Sequence, residues 1–233
     1  MNYLIGAGGV GSWLAPSLCL LTGQDNVTLI DGDELEEKNL NRQLFTRQHL
    51  RQNKATALSR LYNCHAIPAW YSMGRFHIEP EDVLMVCADN HPARLAALNE
   101  CDARGCRAIV AANETHSSEA YYYQRSWRGT KLDPRVYYPD ILSVREGDPL
   151  AAAIGCTGEA QEQNPQLVSA NFSAAALAQN LFVVWIMEAP KFEQDTLPFL
   201  PHRLVSNLTK LESFRVKDSA TERTNGSEHT VTA

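Results

Sequence analysis

A glycine-rich turn between a short apolar segment and an apolar helix, in LIGAGGVGSWLAP, constrains the fold more than any other feature of the sequence. Its spacing fits the Gly-x-Gly-x-x-Gly pattern of a dinucleotide-binding turn, in which backbone N–H groups at the start of a helix approach a phosphate. Residues 2–5 and 27–30 are predicted as strands, and residues 9–21 as the helix between them. This arrangement typically begins a right-handed parallel sheet. The glycines of the turn are Gly6, Gly8, Gly9 and Gly11.

Predicted strands and helices continue to alternate as far as residue 113. The clearest buried strand is the apolar run over residues 83–88, and residues 106–113 form another. Residues 47–62 and 91–105 have the spacing of helices, and residues 65–72 are predicted as a third strand. This alternation predicts an α/β fold, a doubly wound, mainly parallel, Rossmann-like sheet with helices on both faces.

The second half of the chain has a different pattern, which predicts a C-terminal antiparallel extension. Proline-flanked turns and little periodicity over about residues 130–164 indicate a long irregular crossing loop, of the kind that is usually functional or disordered. We expect one domain over residues 1–217 and a disordered tail over residues 218–233, which have no apolar periodicity. The other predicted elements are a strand exposed on one face or a hairpin over 118–129, a helix over 166–188, and two strands within 202–216.

The charge and the cysteine content argue against several classes of protein. The net charge is −6, so we expect no nucleic-acid partner, which would require a basic surface. The six cysteines include no Cys-x-x-Cys pair, and we expect no signal peptide before the first strand, so we predict reduced cytoplasmic thiols and no structural zinc. The apolar run over residues 174–187 is shorter than the ~20 residues of a membrane span, so it is predicted as a buried helix without membrane contact.

The choice of nucleotide depends on the polar residues that follow the second strand. Asp31 lies where a carboxylate binds ribose hydroxyls in either NAD or ATP. An NAD site needs little beyond this carboxylate, but here Arg42 and Lys54 follow it, and two cations beside a phosphate-binding turn suit a triphosphate. The segment therefore favours ATP. Its other polar residues of interest are Asp33, Asn39 and Gln43.

Asp89 follows the buried strand over residues 83–88 and is the predicted metal ligand. The carboxyl ends of parallel strands form the binding crevice of such a sheet. A carboxylate there approaches phosphates only if a cation lies between them, and Mg²⁺, bound by one or two carboxylates plus phosphate oxygens, is the expected ion. The alternative is that Asp89 caps the helix that begins near His91, because Asp is a favoured capping residue.

Four segments together resemble the ubiquitin-activating enzyme superfamily of ThiF/MoeB/HesA-type adenylating enzymes. They are GAGGVGS, DGDELEEKNLNRQLF, Lys54 and CADNHPAR, which occur in the family's order, and the resemblance covers about residues 3–113. In size the chain is similar to small stand-alone bacterial forms such as those of the PRTRC system. The resemblance implies that the C-terminal carboxylate of a small protein attacks the α-phosphorus of ATP, which gives an acyl adenylate and pyrophosphate.

The resemblance also implies roles for the polar residues and identities for the partners. Asp31 would bind ribose, and Asp89 would bind Mg²⁺. Arg42 and Lys54 would hold the phosphates during catalysis. The acceptor would be a ubiquitin-like or sulfur-carrier protein that ends in Gly-Gly, a conjugating enzyme would be a further partner, and the chain would form a homodimer. The residues that would complete the nucleotide site are Asp33, Asn39 and Gln43.

Cys156 and the N-terminal segment leave alternatives open. Cys156 lies in the crossing loop, where thioester-forming members of the family carry their nucleophile, and it is predicted to accept the acyl group. Other members adenylate without a cysteine intermediate. Members often have an N-terminal helix with an arginine that reaches the partner's ATP, whereas the first strand is predicted here from residue 2. The alternatives are a chain that adenylates a small molecule, a peptide or a tRNA base, an NAD(P)-dependent oxidoreductase, and a non-catalytic partner subunit with the same fold.

Overall fold

One eight-stranded sheet forms the centre of the computed structural model, which describes residues 1–114, 116–143, 167–191, 200–207 and 212–215. In chain order the strands are β1 (Asn2–Ile5), β2 (Val27–Ile30), β3 (His65–Ile67), β4 (Val83–Val86), β5 (Arg107–Asn113), β6 (Ser117–Gln124), β7 (Arg203–Asn207) and β8 (Glu212–Arg215). Across the sheet their order is β3-β2-β1-β4-β5-β6-β7-β8. The strands from β3 to β5 pair in parallel, and β6, β7 and β8 extend the sheet by antiparallel pairing. The predicted doubly wound sheet with an antiparallel extension is confirmed.

Helices begin where the sequence supplies a cap. Asn53 accepts a hydrogen bond from the Thr56 N–H at the start of the second helix, and Asn90 accepts one from the Ala93 N–H at the start of the third. The third helix ends at Gly105, whose φ of 83° lies in the left-handed region that favours glycine. The α-helices in the described residues are α1 (Gly9–Thr22), α2 (Lys54–Tyr62), α3 (His91–Arg104), α4 (Pro134–Tyr137) and α5 (Val168–Phe182).

Two hydrophobic cores cover the two faces of the sheet. Successive side chains of a strand point to opposite faces, so each strand contributes to both cores. Leu4 and Met85 pack with residues of α1, α2 and α5, whereas their neighbours Ile5 and Val86 pack with residues of α3. Helices therefore lie on both faces, as predicted.

The register of β2, β1 and β4 places the carboxyl ends of these three strands next to one another, at one end of the strands. Ile5 pairs with Ile30 of β2 and with Val86 of β4. The next residues along these strands are therefore neighbours. The Gly6 N–H donates to the Ile30 carbonyl oxygen (2.9 Å), and the Cys87 N–H donates to that of Ile5 (2.8 Å). The polar residues that follow the strands are brought together at this end.

The helix predicted over residues 47–62 is two shorter elements. A 3-10 turn occupies Arg47–His49, and α2 begins only at Lys54. Between them Arg51 has a φ of 65°, which interrupts the helix. The third strand is also shorter than predicted. It ends at Ile67 because the next residue is Pro68, which has no N–H to donate to a strand pair.

Strand β6 is buried on both faces, so the prediction of a strand exposed on one face is wrong. Tyr121, Tyr122 and Tyr123 are each at most 2% exposed. Tyr122 stacks on Trp185, with ring centroids 4.5 Å apart, and Tyr121 contacts Tyr138 at 6.1 Å. Tyr122 and Tyr121 belong to the two different cores. Elements distant along the chain therefore cover both faces of this strand.

The first part of the predicted irregular loop is ordered and carries a buried network, which we call the Arg135 network. Arg135 of α4 is 8% exposed, and its guanidinium donates to Asp102 of α3 (2.7 Å) and to Asp133 (2.9 Å). Tyr123 of β6 donates to the same Asp102 carboxylate at 2.5 Å. Burial alone would raise the pKa of Asp133, but hydrogen bonds from Arg135 and from backbone N–H groups lower it overall. The network ties the start of the crossing loop to the sheet and to α3.

The apolar helix predicted over residues 166–188 is α5, which continues as a π-helical turn (Val183–Glu188) and a 3-10 turn (Ala189–Lys191). By length and composition the continuous helix of 24 residues, Val168–Lys191, could cross a membrane. Half of its apolar stretch is buried, and α5 packs against α1, β5 and β6 as a core helix does. Residues 144–166 and the tail over residues 218–233 lie outside the described residues.

Candidate functional site

The glycine turn follows β1 and has no space for side chains at two of its positions. Gly6 has a φ of 91°, and a Cβ added there would lie 2.8 Å from the backbone nitrogen of Ala88. A Cβ added at Gly11 would lie 1.9 Å from the carbonyl oxygen of Gly6. Gly8 caps α1 and has no side chain to accept hydrogen bonds from the first N–H groups of the helix. Those N–H groups and the positive end of the helix dipole favour an anion.

Asp31 is a buried carboxylate that is tied to the glycine turn. It is 8% exposed; its Oδ2 accepts a hydrogen bond from the Ala7 N–H (2.6 Å), and its Oδ1 accepts one from the Asp33 N–H (2.8 Å). Burial raises the pKa of Asp31, because desolvation outweighs the two N–H donors and the charge of Lys54, which lower it. The carboxylate is therefore held in place at an energetic cost, as is common for groups that bind a ligand.

Lys54 is a buried cation at the first position of α2. It is 6% exposed, its N–H donates to the Asp33 carbonyl oxygen (2.9 Å), and its ammonium group forms an ion pair with the half-exposed Asp33 carboxylate. A cation at the start of a helix opposes the helix dipole, and burial adds a desolvation cost. A cation in this costly position is suited to an anionic ligand.

Asn53 links these groups and was not predicted. Its Nδ2 donates to the carbonyl oxygens of Asp31 (2.8 Å) and Asp33 (3.1 Å), while its Oδ1 caps α2. The side chain therefore sets the position of the acidic segment relative to Lys54. The capping preference of asparagine could have revealed it, but the helix was predicted to run through this residue.

The loop before α2 brings Gln43, but not the Arg42 guanidinium, to the glycine turn. Gln43 is 8% exposed, and its Nε2 lies 3.7 Å from the position of a Cβ on Gly8. Arg42 Nη1 donates within the loop, to the carbonyl oxygen of Lys38 (2.9 Å). Asn39 accepts a hydrogen bond from the Glu36 N–H (3.1 Å), so it caps the loop's own 3-10 turn. Of the three predicted residues, only Gln43 is shown against the turn.

Asn171 of α5 packs on the glycine turn and was also missed. It is 0% exposed, and a Cβ added at Gly9 would lie 2.7 Å from its Oδ1. Its Nδ2 donates weakly to the Arg42 carbonyl oxygen at 3.4 Å, an oxygen that also accepts from Trp13 Nε1 at 3.1 Å. A polar residue on the buried face of an apolar helix is a signal that could have been noticed. The side chain joins α5, the loop and the turn.

Asp89 lies at the predicted edge of the sheet, two residues after Cys87, and is exposed. The alternative in which it caps α3 is wrong, because Asn90 is the capping residue. Among the residues that the structure describes, no three His, Cys, Asp or Glu side chains cluster as a metal site. A Mg²⁺ ion here would therefore depend on Asp89 and on oxygens from the substrate.

The described residues fit a nucleotide with its phosphates at the turn. Gly6 and Gly11 let the turn pack tightly against β1 and the residues after β4, and Lys54 supplies a buried positive charge. Gln43 Oε1 and Asn171 Oδ1 are buried without a hydrogen-bond partner in the described part of the chain. Such oxygens need a hydrogen-bond donor, which a phosphate at neutral pH lacks, so they do not themselves favour phosphates at the turn.

Cys156, the predicted nucleophile, lies outside the described residues. Among the described cysteines, a hydrogen bond with Cys64 lowers the pKa of the Cys19 thiol. Burial raises the pKa of the Cys87 thiol to about 12, so this thiol is not a nucleophile at neutral pH. Cys101 and Cys106 are fully buried. All five described cysteines are free thiols.

Comparisons with known proteins give one matching family, one partial sequence relative and several similar folds. The model of the ThiF family matches residues 2–131, more than half of the chain. A SUMO-activating enzyme subunit 2 of Dictyostelium discoideum is 47% identical over 53 residues, which are 22% of this chain and 8% of that protein.

Solved structures share the fold at low sequence identity. E. coli MccB with ATP has a TM-score of 0.58 and 17% identity, over 94% of this chain and 64% of that one. MccB with AMPCPP and MccA has a TM-score of 0.62 and 17% identity, over 94% of this chain and 65% of that one. PaaA has a TM-score of 0.59 and 17% identity, over 93% and 63%. The chain therefore spans less than two thirds of the length of these relatives.

Proposed function

The chain belongs to the ThiF family, and on that premise we propose that it is an ATP- and Mg²⁺-dependent adenylyltransferase. Its substrate would be the C-terminal carboxylate of a ubiquitin-like or sulfur-carrier protein. The observation that carries the proposal is the buried Lys54, which lies with Asp31 beside a glycine turn at the N-terminus of α1. Families of this type adenylate such carboxylates, and the MccB structures with ATP and AMPCPP share the fold.

In the proposed reaction a carboxylate oxygen of the acceptor attacks the α-phosphorus of ATP. The bond from that phosphorus to the bridging oxygen breaks, and pyrophosphate leaves with the electron pair. Two anions repel each other, so fixed positive charge must offset the repulsion. The N-terminus of α1 and Lys54 supply it, and Arg42 would join them once its guanidinium turns from Lys38 to the phosphates.

Asp31 and Asp89 complete the proposed site. Asp31 accepts two backbone N–H groups and retains lone pairs for the ribose hydroxyls. Asp89 would hold Mg²⁺, which stabilises negative charge on phosphate oxygens. The single protein carboxylate agrees with the way Mg²⁺ is usually bound, through one or two carboxylates plus substrate oxygens.

A second step would use Cys156. Its thiolate would attack the carbonyl carbon of the adenylate, form a thioester and release AMP. We also propose that the chain acts in the cytoplasm as a homodimer, with a conjugating enzyme as a downstream partner. These parts rest on family resemblance.

Exchange of labelled pyrophosphate into ATP tests the first step. A candidate acceptor that ends in Gly-Gly should support exchange with the wild-type chain, and Arg42→Ala or Asp89→Ala should abolish it. A thioester would be detected as an acceptor adduct that thiols cleave, lost in Cys156→Ala and kept in Cys19→Ala.

The alternatives predict different results. An NAD(P)-dependent oxidoreductase would bind a nicotinamide cofactor and not ATP. A non-catalytic subunit would show no exchange alone but would assemble with an ATP-competent partner. Exchange with a small molecule in place of a protein would change the substrate class and leave the reaction intact.

A further inference from the structure

Trp70 is an exposed aromatic residue beside the carboxylate that is proposed to bind ribose. It is 63% exposed, whereas Trp185 is 6% exposed, and Trp13 and Trp127 are half-buried against the core. Tryptophan is usually highly buried, so a tryptophan that stays exposed beside a candidate site needs an explanation. From its position we infer that the Trp70 indole is the stacking surface for the purine base of the nucleotide. The inference rests on the proposed function, because it assumes a nucleotide at this site.

The indole is placed by the alignment of two neighbouring strands. Ile30 of β2 pairs with Ile67 of β3, so both strands reach the same edge of the sheet. Trp70 follows β3, and its ring folds back onto Gly32, which follows Asp31. A Cβ added at Gly32 would lie 2.6, 2.7 and 2.8 Å from three carbon atoms of the indole. One side of the ring therefore rests on glycine backbone, and much of the rest faces solvent.

The covalent structure of a nucleotide connects this surface to the proposed ribose site. The base is bonded directly to the ribose, so a ribose held by Asp31 places its base within a few bonds of the Asp31 carboxylate. Gly32 is the next residue in the chain, and the indole lies on it. Aromatic side chains stack on any base because every base has a π-face.

The segment that carries Trp70 is held in place before a ligand binds. The carbonyl oxygen of Ile67 accepts the N–H groups of Asp31 (3.3 Å) and Ala69 (2.9 Å). Arg75 Nη1 donates to the Trp70 carbonyl oxygen at 3.1 Å. The Gly74 N–H donates to the buried Glu100 carboxylate at 2.6 Å. A surface that is already ordered loses little entropy when a base stacks on it.

The test is a comparison of ATP with tripolyphosphate, which has the phosphates and lacks base and ribose. Dissociation constants are measured by titration calorimetry on the full chain, with circular dichroism to confirm folding. Trp70→Ala should weaken the binding of ATP by roughly 5- to 150-fold, and Trp70→Phe should weaken that binding less. Neither variant should change the affinity for tripolyphosphate. Met73→Ala, in the same segment and 39% exposed, is the matched control and should bind both like wild type.

Two further readouts separate stacking from a general effect on the loop. ATP should quench the tryptophan fluorescence of wild type, and Trp70→Phe should lose that change while it still binds ATP. Gly32→Ala should displace the indole from the Gly32 backbone and weaken the binding of ATP as Trp70→Ala does. Unchanged ATP affinity in Trp70→Ala overturns the inference and leaves the proposed function intact. If wild type binds neither ATP nor tripolyphosphate, the proposed function fails and the inference fails with it.

Discussion

The contact between Gly9 and Asn171 makes a quantitative prediction about stability. An added Cβ at Gly9 would lie 2.7, 2.9 and 3.0 Å from three atoms of the Asn171 side chain. Asn171 is 0% exposed, so its side chain has little space to move into. We therefore expect Gly9→Ala to overpack this site, at a cost of about 1–3 kcal/mol.

Two opposing terms set the net effect of this change. Gly9 is the first residue of α1, where alanine has the better helix propensity, by up to ~1 kcal/mol. With the full propensity gain subtracted, Gly9→Ala alone should thus lower the free energy of unfolding by about 0–2 kcal/mol. Asn171→Ala removes the obstacle, so in that background Gly9→Ala should be neutral or stabilising. The interaction energy between the two changes should be about 1–3 kcal/mol.

Urea denaturation of the wild type, both single variants and the double variant measures this energy. Far-UV circular dichroism at 25 °C follows unfolding. Equal m-values for the four proteins would show that all of them unfold in the same transition. Additive effects, with an interaction energy below about 0.5 kcal/mol, would mean that Asn171 does not pack on the turn.

Three other predictions follow from the site and from the Arg135 network. Lys54→Ala should lower the pyrophosphate-exchange rate by about 10²–10³-fold, because it removes a fixed charge at the phosphates, while the exposed Arg47→Ala should leave the rate unchanged. Because burial raises the pKa of Asp31 in the folded state, its ionisation destabilises the fold; unfolding measured from pH 4 to 7 should show wild type losing stability relative to Asp31→Asn as the pH rises. Arg135→Met should lower the free energy of unfolding by about 3–5 kcal/mol, since it leaves buried carboxylates unpaired. Arg128→Ala, whose guanidinium is 3.6 Å from Asp102 and 68% exposed, should cost less than about 1 kcal/mol in the same assay.

The sequence predicts the parallel half of the sheet well because local patterns control it. β1 and β2 have the predicted bounds, since the glycine turn and the apolar alternation leave little choice. The burial of β6 is different, because Trp185 reaches it from a remote part of the chain and Tyr138 from the irregular segment that follows it. A local pattern carries no information about such neighbours.

The candidate site also combines residues that local sequence patterns reveal with residues that they do not. The glycines, Asp31 and Lys54 lie within two segments of sequence whose spacing is diagnostic, and the structure brings them together. Asn171 reaches the turn from α5, which no local pattern connects to it. Trp70 does not stand out in the sequence, because it lies within the predicted third strand, whereas the observed strand ends before it. Asp89 and Cys156 stay predictions as a metal ligand and a nucleophile.

The Arg135 network also bears on how this protein could change over evolution. It fixes the chain just before residues 144–166, and α5 fixes it just after, through its packing on α1 and the sheet. With both ends anchored, doubling the length between them costs only about 0.6 kcal/mol in chain entropy. We therefore expect that changes in length between these two anchors leave the described part of the candidate site in place.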